Sequence, residues 1–274
     1  MQSVFDFAEK ALRCANRDEL LALTHEAWRL AENGELRFES ENDVQPIEQV
    51  RFPEKPILLP PREMPKRKFH TRAGLAAFFH AIAHVEFVAI YLAWDILYRF
   101  RDLPEDFYRD WLLVADEESQ HFSLLQTKLK TFGMNYGDLP AHSGLWDLAQ
   151  YTANDLLKRL ALVPRNMEAH GLDVTPPLIE KFKQLDDENA VEILTRILTD
   201  EIGHVALGSK WFKWLCKQQS LDIESTYQEL LLNYYAQKGG NLKGNLNHEM
   251  RLKAGFSENE LAWLNAQTNQ KVSH

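Results

Sequence analysis

Cysteine is nearly missing from this chain. Cys14 and Cys216 lie far apart and belong to no Cys-x-x-Cys arrangement, which excludes a thioredoxin-like dithiol and a zinc-thiolate site. Positive charge is also short: the formal net charge is -9 at pH 7, and a phosphate backbone is held by concentrated Lys and Arg. That balance argues against general nucleic-acid affinity. Arg62, Lys66, Arg67 and Lys68 form one local basic cluster, read either as a surface for an acidic partner or as an ordinary solvated segment. No stretch of about twenty uncharged apolar residues is present, so no membrane span is expected. Met1 to Glu9 carries early acidic charge and lacks a basic segment followed by an apolar core, the pattern of a secretory signal. A cytoplasmic protein is the expectation.

What the chain does have is apolar bulk and helical periodicity. Apolar residues make up 45% of it, with seven Trp, fifteen Phe and eight Tyr, enough to bury a substantial core across 274 residues. Helical spacing predicts helices from Val4 to about Asn16 and from Asp18 to about Glu32, with Asn33-Gly34 as a stop. Prolines 46, 53, 56, 60, 61 and 65 then crowd the segment from Phe38 to Phe69. Proline lacks an amide donor, so this segment should run extended, pinned by Val50, Phe52, Ile57, Leu58 and Leu59.

Four long helices should follow. The first two span about Thr71 to Phe100 and Glu105 to Thr131, and the short Arg101 to Pro104 joint makes them antiparallel neighbours. Residues 132–144 hold Gly133, Gly137, Pro140 and Gly144 and show no helical period. Extended, thirteen residues reach about 43 Å, the length of a bundle helix, so they suit an end-to-end crossover. The third helix is expected from about Leu145 to His170, bent near Pro164 and ended by Gly171, with a short helix after Pro176-Pro177. The fourth should cover Glu188 to Gln219. A helix from Ile223 to Gln237, a Gly/Asn-rich stretch and a last helix capped by Ser257 and Glu260 complete the chain. These elements predict an all-α protein in three parts: 1–69 as a helical appendage with a Pro-rich wrapping segment, 70–219 as a four-helix bundle with a long crossover, and 220–274 as a C-terminal helical extension.

Two tetrapeptides carry the chemistry. Glu118-Ser-Gln-His121 and Glu201-Ile-Gly-His204 repeat the pattern Glu-x-x-His, and each follows a lone glutamate, Glu86 by 32 residues and Glu168 by 33. Residues i and i+3 share a helix face, so carboxylate and imidazole reach inward together. A single such tetrapeptide is common by chance and usually marks a solvated face. Two of them at matching places in apolar stripes are another matter, because each would bury charge at a cost unless a cation were shared. Four glutamates and two histidines on four helices match the ligand set of di-metal carboxylate bundles, and four carboxylates balance two divalent cations.

Roles follow from position. Glu118 and Glu201 are the bridging carboxylates, Glu86 and Glu168 the terminal ones, and His121 and His204 each serve one metal. Oxygen and nitrogen ligands without thiolate favour two iron ions first, then manganese or a mixed iron/manganese pair. Glu117 and Asp200 point about 100° from the ligands and are candidates to orient a histidine from outside the ligand shell. Asp116 reads as solvated. His80, His84 and His170 fall off the ligand line and read as ordinary hydrogen-bonded or surface histidines; Tyr91, Tyr98, Tyr151, Trp94 and Trp211 read as core.

The pattern Glu86, Glu118-x-x-His121, Glu168, Glu201-x-x-His204 resembles the ferritin-like superfamily over roughly residues 70–219. The strings HAIAHVEF, VADEESQHF and TDEIGHVALG, with the late LKAGFS, resemble the bacterial ferritin-like family known as domain of unknown function four hundred and fifty-five, over nearly the whole chain. That family is similar in arrangement to the oxygen-dependent tRNA hydroxylase branch and, more distantly, to rubrerythrins. The resemblance implies the six residues as metal ligands and assigns no substrate; acidity gives tRNA no independent support but leaves it open. Three functions follow as expectations. The first is an oxygen-dependent di-iron oxidoreductase, a hydroxylase among other options, using O₂, an unidentified substrate and an external electron donor. The second is iron oxidation or metal handling without an organic substrate. The third is a structural or interaction role. For an enzyme, the 132–144 crossover, the Pro-rich segment and the 239–256 loop would select the substrate. Asn241, Asn245, Asn247, His248 and Arg251 in that loop serve equally well as backbone caps.

Overall fold

The computed structural model describes residues 2–39, 44, 47, 50–239 and 245–269; Pro46 and Asn241 lie outside the described residues. The described residues form helices and no sheet, in two compact units, Met1–Asp147 and Leu148–His274.

In the first unit, α1 (Val4–Leu12) and α2 (Arg17–Glu32) precede the long α3 (Arg72–Arg99) and α4 (Glu105–Thr131). α1 stops four residues earlier than its periodicity predicts, and Asn16 turns out to be the N-cap of α2, accepting from the Asp18 and Glu19 amides. α3 starts where Thr71 accepts from the Gly74 amide, and α4 starts after Pro104. α3 buries nearly its whole circumference. It is also the one helix among the described residues long and apolar enough to cross a membrane, but 78% of its apolar window is buried inside the protein, as in a core helix. The wrapping segment is held mainly by backbone: Leu59 N donates to Ala141 O, Ala141 N to Ile57 O and Arg51 N to Leu12 O. Phe52 does pin it, against Tyr91 and Trp146. Ile57 and Leu58 do not, being 63% and 48% exposed.

The crossover after α4 packs on α3 through Tyr136, whose ring stacks with His80 and His84. His84 lies 2.9 Å from the Tyr136 hydroxyl and 3.1 Å from the His142 carbonyl, and His80 accepts from the Gly137 amide. Both imidazoles are pushed down to about 4, chiefly by burial, so they are neutral packing groups at ordinary pH.

The second unit departs from expectation at its first long helix. In place of one helix from Leu145 to His170, the chain forms α5 (Gly144–Tyr151), a break, α6 (Leu156–Leu162), a π-helical segment Val163–Glu168 and α7 (Ala169–Gln184). The break is held by Arg159, which donates to Thr152 Oγ1 and to the Ala149 carbonyl near the end of α5, while Asp155 caps α6. Pro164 widens the helix into the π segment, as its missing amide permits. Gly171 does not end the helix, and Pro176 and Pro177 lie inside it; burial of Leu172, Ile179 and Phe182 on one side outweighs the lost donors. α8 (Glu188–Gln218) pairs with α7, and α9 (Ile223–Lys238), α10 (His248–Lys253) and α11 (Glu258–Asn269) follow. α10 is an element that the sequence pattern does not announce. At α11 the expected reciprocal cap forms: Ser257 N donates to Glu260 Oε2 at 2.8 Å and Glu260 N to Ser257 Oγ at 3.0 Å.

Candidate metal centre

Each unit carries one half of the predicted ligand set on its long helix pair. In the first, α4 turns Trp111, Val114, Ala115, Glu118, His121, Phe122, Leu125 and Leu129 to the interior, and every one of them is buried. Opposite, α3 brings Glu86 into a stretch where Ala83, Ala89 and Ala93 leave room for a carboxylate. His121 Nδ1 stands 3.1 Å from Glu86 Oε2 and 3.6 Å from Glu118 Oε2. These three residues thus offer ligand atoms within 4.8 Å of one another, with His121 fully buried and Glu118 1% exposed.

The electrostatics of this half-site suit a cation. Burial, and then the neighbouring Glu118 charge, push the Glu86 carboxyl well above the usual carboxylate range against the opposing hydrogen bond to His121. Two carboxylates this close and this dry cannot both ionise cheaply by themselves. A divalent ion between them reverses the preference, since it stabilises both negative charges at once.

In the second unit, α8 repeats the arrangement. His204 is fully buried, and its Nδ1 lies 3.3 Å from Glu201 Oε1, three residues earlier on the same face. Both histidines therefore present the same ring nitrogen to the carboxylate of their own tetrapeptide. Glu168 closes the π segment of the partner helix and is partly buried. π segments are found often at functional sites, because the wider turn re-aims the side chains that follow.

The family of proteins of unknown function DUF455 matches residues 13–262, nearly the whole chain. The chain belongs to this family. It is a ferritin-like protein with a carboxylate-histidine cluster able to hold a metal. It is also 45% identical over 266 residues to an uncharacterized protein of Haemophilus influenzae, covering 93% of this chain and 91% of that relative. No solved structure matches it.

Around the candidate ligands of this DUF455 member, some neighbours behave otherwise than their sequence positions imply. Asp116 is 4% exposed, not solvated: His25 Nδ1 from α2 lies 2.5 Å from one of its oxygens and Gln120 donates to the other. Sequence reasoning missed it because the partner sits 91 residues away. Asp200 accepts from Arg196 on its own helix at 2.6 Å. Glu117 is partly buried on α4. Asn247 caps α10, and Arg251 forms a bidentate pair with Asp173, so these two members of the loop group serve backbone and packing.

The His25 and Asp116 pair gives a test of the local electrostatics. Hydrogen bonding to Asp116 raises the His25 pKa above 6.5, overcoming partial burial. Because the folded value is the higher one, the pair stabilises fully below the unfolded value and fades as pH rises through the folded value. The melting temperature of His25→Gln should therefore fall short of the parent at about pH 5.5 and converge with it at about pH 9. A gap that widens with rising pH would refute the pairing.

Proposed function

We propose that this protein is an oxygen-dependent oxidoreductase of the di-iron carboxylate type. Its metal ligands would be Glu86, Glu118, His121, Glu168, Glu201 and His204. The observation that carries this reading is the duplicated Glu-x-x-His with its buried imidazole, His121 and His204 both being fully inaccessible. A buried imidazole turned to a carboxylate in each of two helix pairs suits a shared pair of cations far better than a solvated helix face.

The donor set fits iron or manganese. Carboxylate oxygen and imidazole nitrogen without thiolate is the ligation that hard and borderline divalent ions prefer. Held by these residues, an iron pair would supply the redox chemistry toward dioxygen that side chains alone lack. The chain's own residues do the rest. Glu118 and Glu201 would bridge, Glu86 and Glu168 would neutralise charge from the ends, and each histidine would offer Nδ1. Phe87 and Phe122, next in sequence to Glu86 and His121, meet Tyr136 at ring-centre distances of 5.2 and 5.0 Å and each other at 4.9 Å, in tilted and edge-on packing that makes the surroundings of the first half-site apolar.

A small apolar recess is the candidate for a substrate route. It is lined by Phe52, Pro56, His84, Phe87, Tyr136 and Trp146, so the wrapping segment, α3, the crossover and the start of α5 all contribute. The wrapping segment and the crossover are two of the three loops expected to vary access. The substrate would be an unidentified, largely apolar molecule, the electron donor a separate protein, and the setting cytoplasmic.

Protein loaded anaerobically with two equivalents of ferrous ion should oxidise them rapidly on mixing with O₂, as followed by stopped-flow absorbance and Mössbauer spectroscopy. Cell extract incubated with the protein, reductant and ¹⁸O₂ should then yield a product carrying ¹⁸O by mass spectrometry. Ferric product with no labelled organic molecule would replace this reading with metal handling. A loaded centre inert to O₂ would overturn both.

A further inference from the structure

The π-helical segment that ends at Glu168 is gripped, almost residue by residue, by elements C-terminal to it. At Pro164 the grip is steric: a Cβ on Gly208 of α8 would fall 2.5 Å from Pro164 Cβ, so α8 seats against the proline only because position 208 is glycine. Gly208 lies one turn after His204. Arg165 comes next and is fully buried. Its Nη2 donates to Glu260 Oε1 of α11 at 2.6 Å, and its Nε to Ser209 Oγ of α8 at 3.1 Å. The guanidinium also lies 4.2 to 4.8 Å from the ring centres of Tyr227, Phe256 and Phe212. The Tyr227 hydroxyl donates to the Arg165 carbonyl at 2.8 Å, and the Tyr235 hydroxyl to Asn166 Oδ1 at 3.2 Å.

A buried ion pair contributes little to stability compared with apolar residues of the same volume, and its best-attested use is to fix register. Here the register at stake is that of a π segment, where the helix winds wider than in the turns on either side. Shifting where that segment ends by one residue would swing Glu168 by about 100° about the helix axis.

We infer that Arg165 is a positioning residue for Glu168, and that the C-terminal helices α9 and α11 serve as the clamp that holds it. Glu260 anchors the guanidinium from one side and Tyr227 anchors the backbone carbonyl from another. Glu260 is itself fixed by the Ser257 amide, and Ser257 Oγ donates to Glu224 of α9 at 2.6 Å. The C-terminal extension is thus tied through three hydrogen-bonding side chains, Glu260, Tyr227 and Tyr235, to the turn that carries a metal ligand. This rests on the di-metal reading, which gives Glu168 its role.

The test is anaerobic titration of the full-length protein with Co²⁺ alone, followed by its visible ligand-field bands. The parent should take up two ions, and Glu168→Gln should weaken one of them. The double variant Arg165→Met with Glu260→Met removes the buried charges at similar volume; it should stay folded and lose at least about tenfold in affinity for that same ion, the scale of an outer-shell loss, with the other ion's bands unchanged. Tyr227→Phe deletes only the bond to the Arg165 carbonyl and should weaken that ion in the same selective way, which keeps the question answerable if the double variant does not fold. Parent affinity for both ions in either folded variant would overturn the inference while leaving the di-metal reading intact. So would an equal loss at both ions, which is what a purely structural role gives. A parent protein that takes up no Co²⁺ would instead defeat the di-metal reading, and with it the role given to Glu168.

Discussion

Glu118→Ala should lose metal affinity by more than about 100-fold, whereas Glu117→Ala should lose no more than about 10- to 100-fold, the scale of an outer-shell loss. Removal of an outer-shell partner typically costs about 10- to 100-fold, and Glu118 offers its oxygens directly. It is 1% exposed and stands 3.6 Å from His121 Nδ1, in the same tight group as Glu86. Its neighbour Glu117 leaves α4 about 100° around the helix from it. Truncating Glu118 also removes a charge that raises the Glu86 pKa, so the apo protein should tolerate the change and remain folded for comparison. Equilibrium titration with Mn²⁺, with circular dichroism as the folding control, makes the measurement. Two ions bound normally by Glu118→Ala, and lost by Glu117→Ala, would show that the ligand face has been assigned to the wrong side of α4.

The second large effect is on stability. Glu260→Ala should destabilise the protein by about 3–5 kcal/mol, because it leaves the Arg165 charge buried without its partner. Arg165 has no exposed surface, and one of its guanidinium nitrogens, Nη1, is already buried without a hydrogen-bond partner. Little slack remains to absorb a further loss. At a few degrees per kcal/mol, the melting temperature should drop by about 10 °C. The Arg165→Met, Glu260→Met double variant should recover most of that drop. A single variant that melts with the parent would mean that the guanidinium finds another acceptor or water.

Much of the fold was legible because its signals are local. Thr71 and Pro104 punctuate α3 and α4 at positions that any reading of caps and prolines would choose, and the Ser257 and Glu260 cap needs only four residues to be recognised. The half-sites were legible for the same reason, since Glu118 with His121 and Glu201 with His204 share a face by helix geometry alone. The third long helix was not. Gly171 and Pro176-Pro177 carry the residue types of a stop, yet they sit in a helix whose apolar side is buried, and tertiary contact overrides propensity there. Arg165 reads as an ordinary charged residue beside a proline; its burial depends on Glu260, 95 residues later, which no periodicity encodes. Asp116 fails in the same way, since the histidine that meets it belongs to another helix.

The hairpin construction of the half-sites bears on the order in which the protein is made. Glu86 and His121 are 35 residues apart and belong to helices joined by a short turn, wholly inside the unit that ends at Asp147. Units of this kind fold as they leave the ribosome, N-terminal first. Three donors would then be assembled while the α8 histidine is still unsynthesised, and a nascent chain would meet cellular cations with half a coordination sphere. Which ion occupies the finished protein would be decided partly by what that early, less selective site accepts and how fast it lets go.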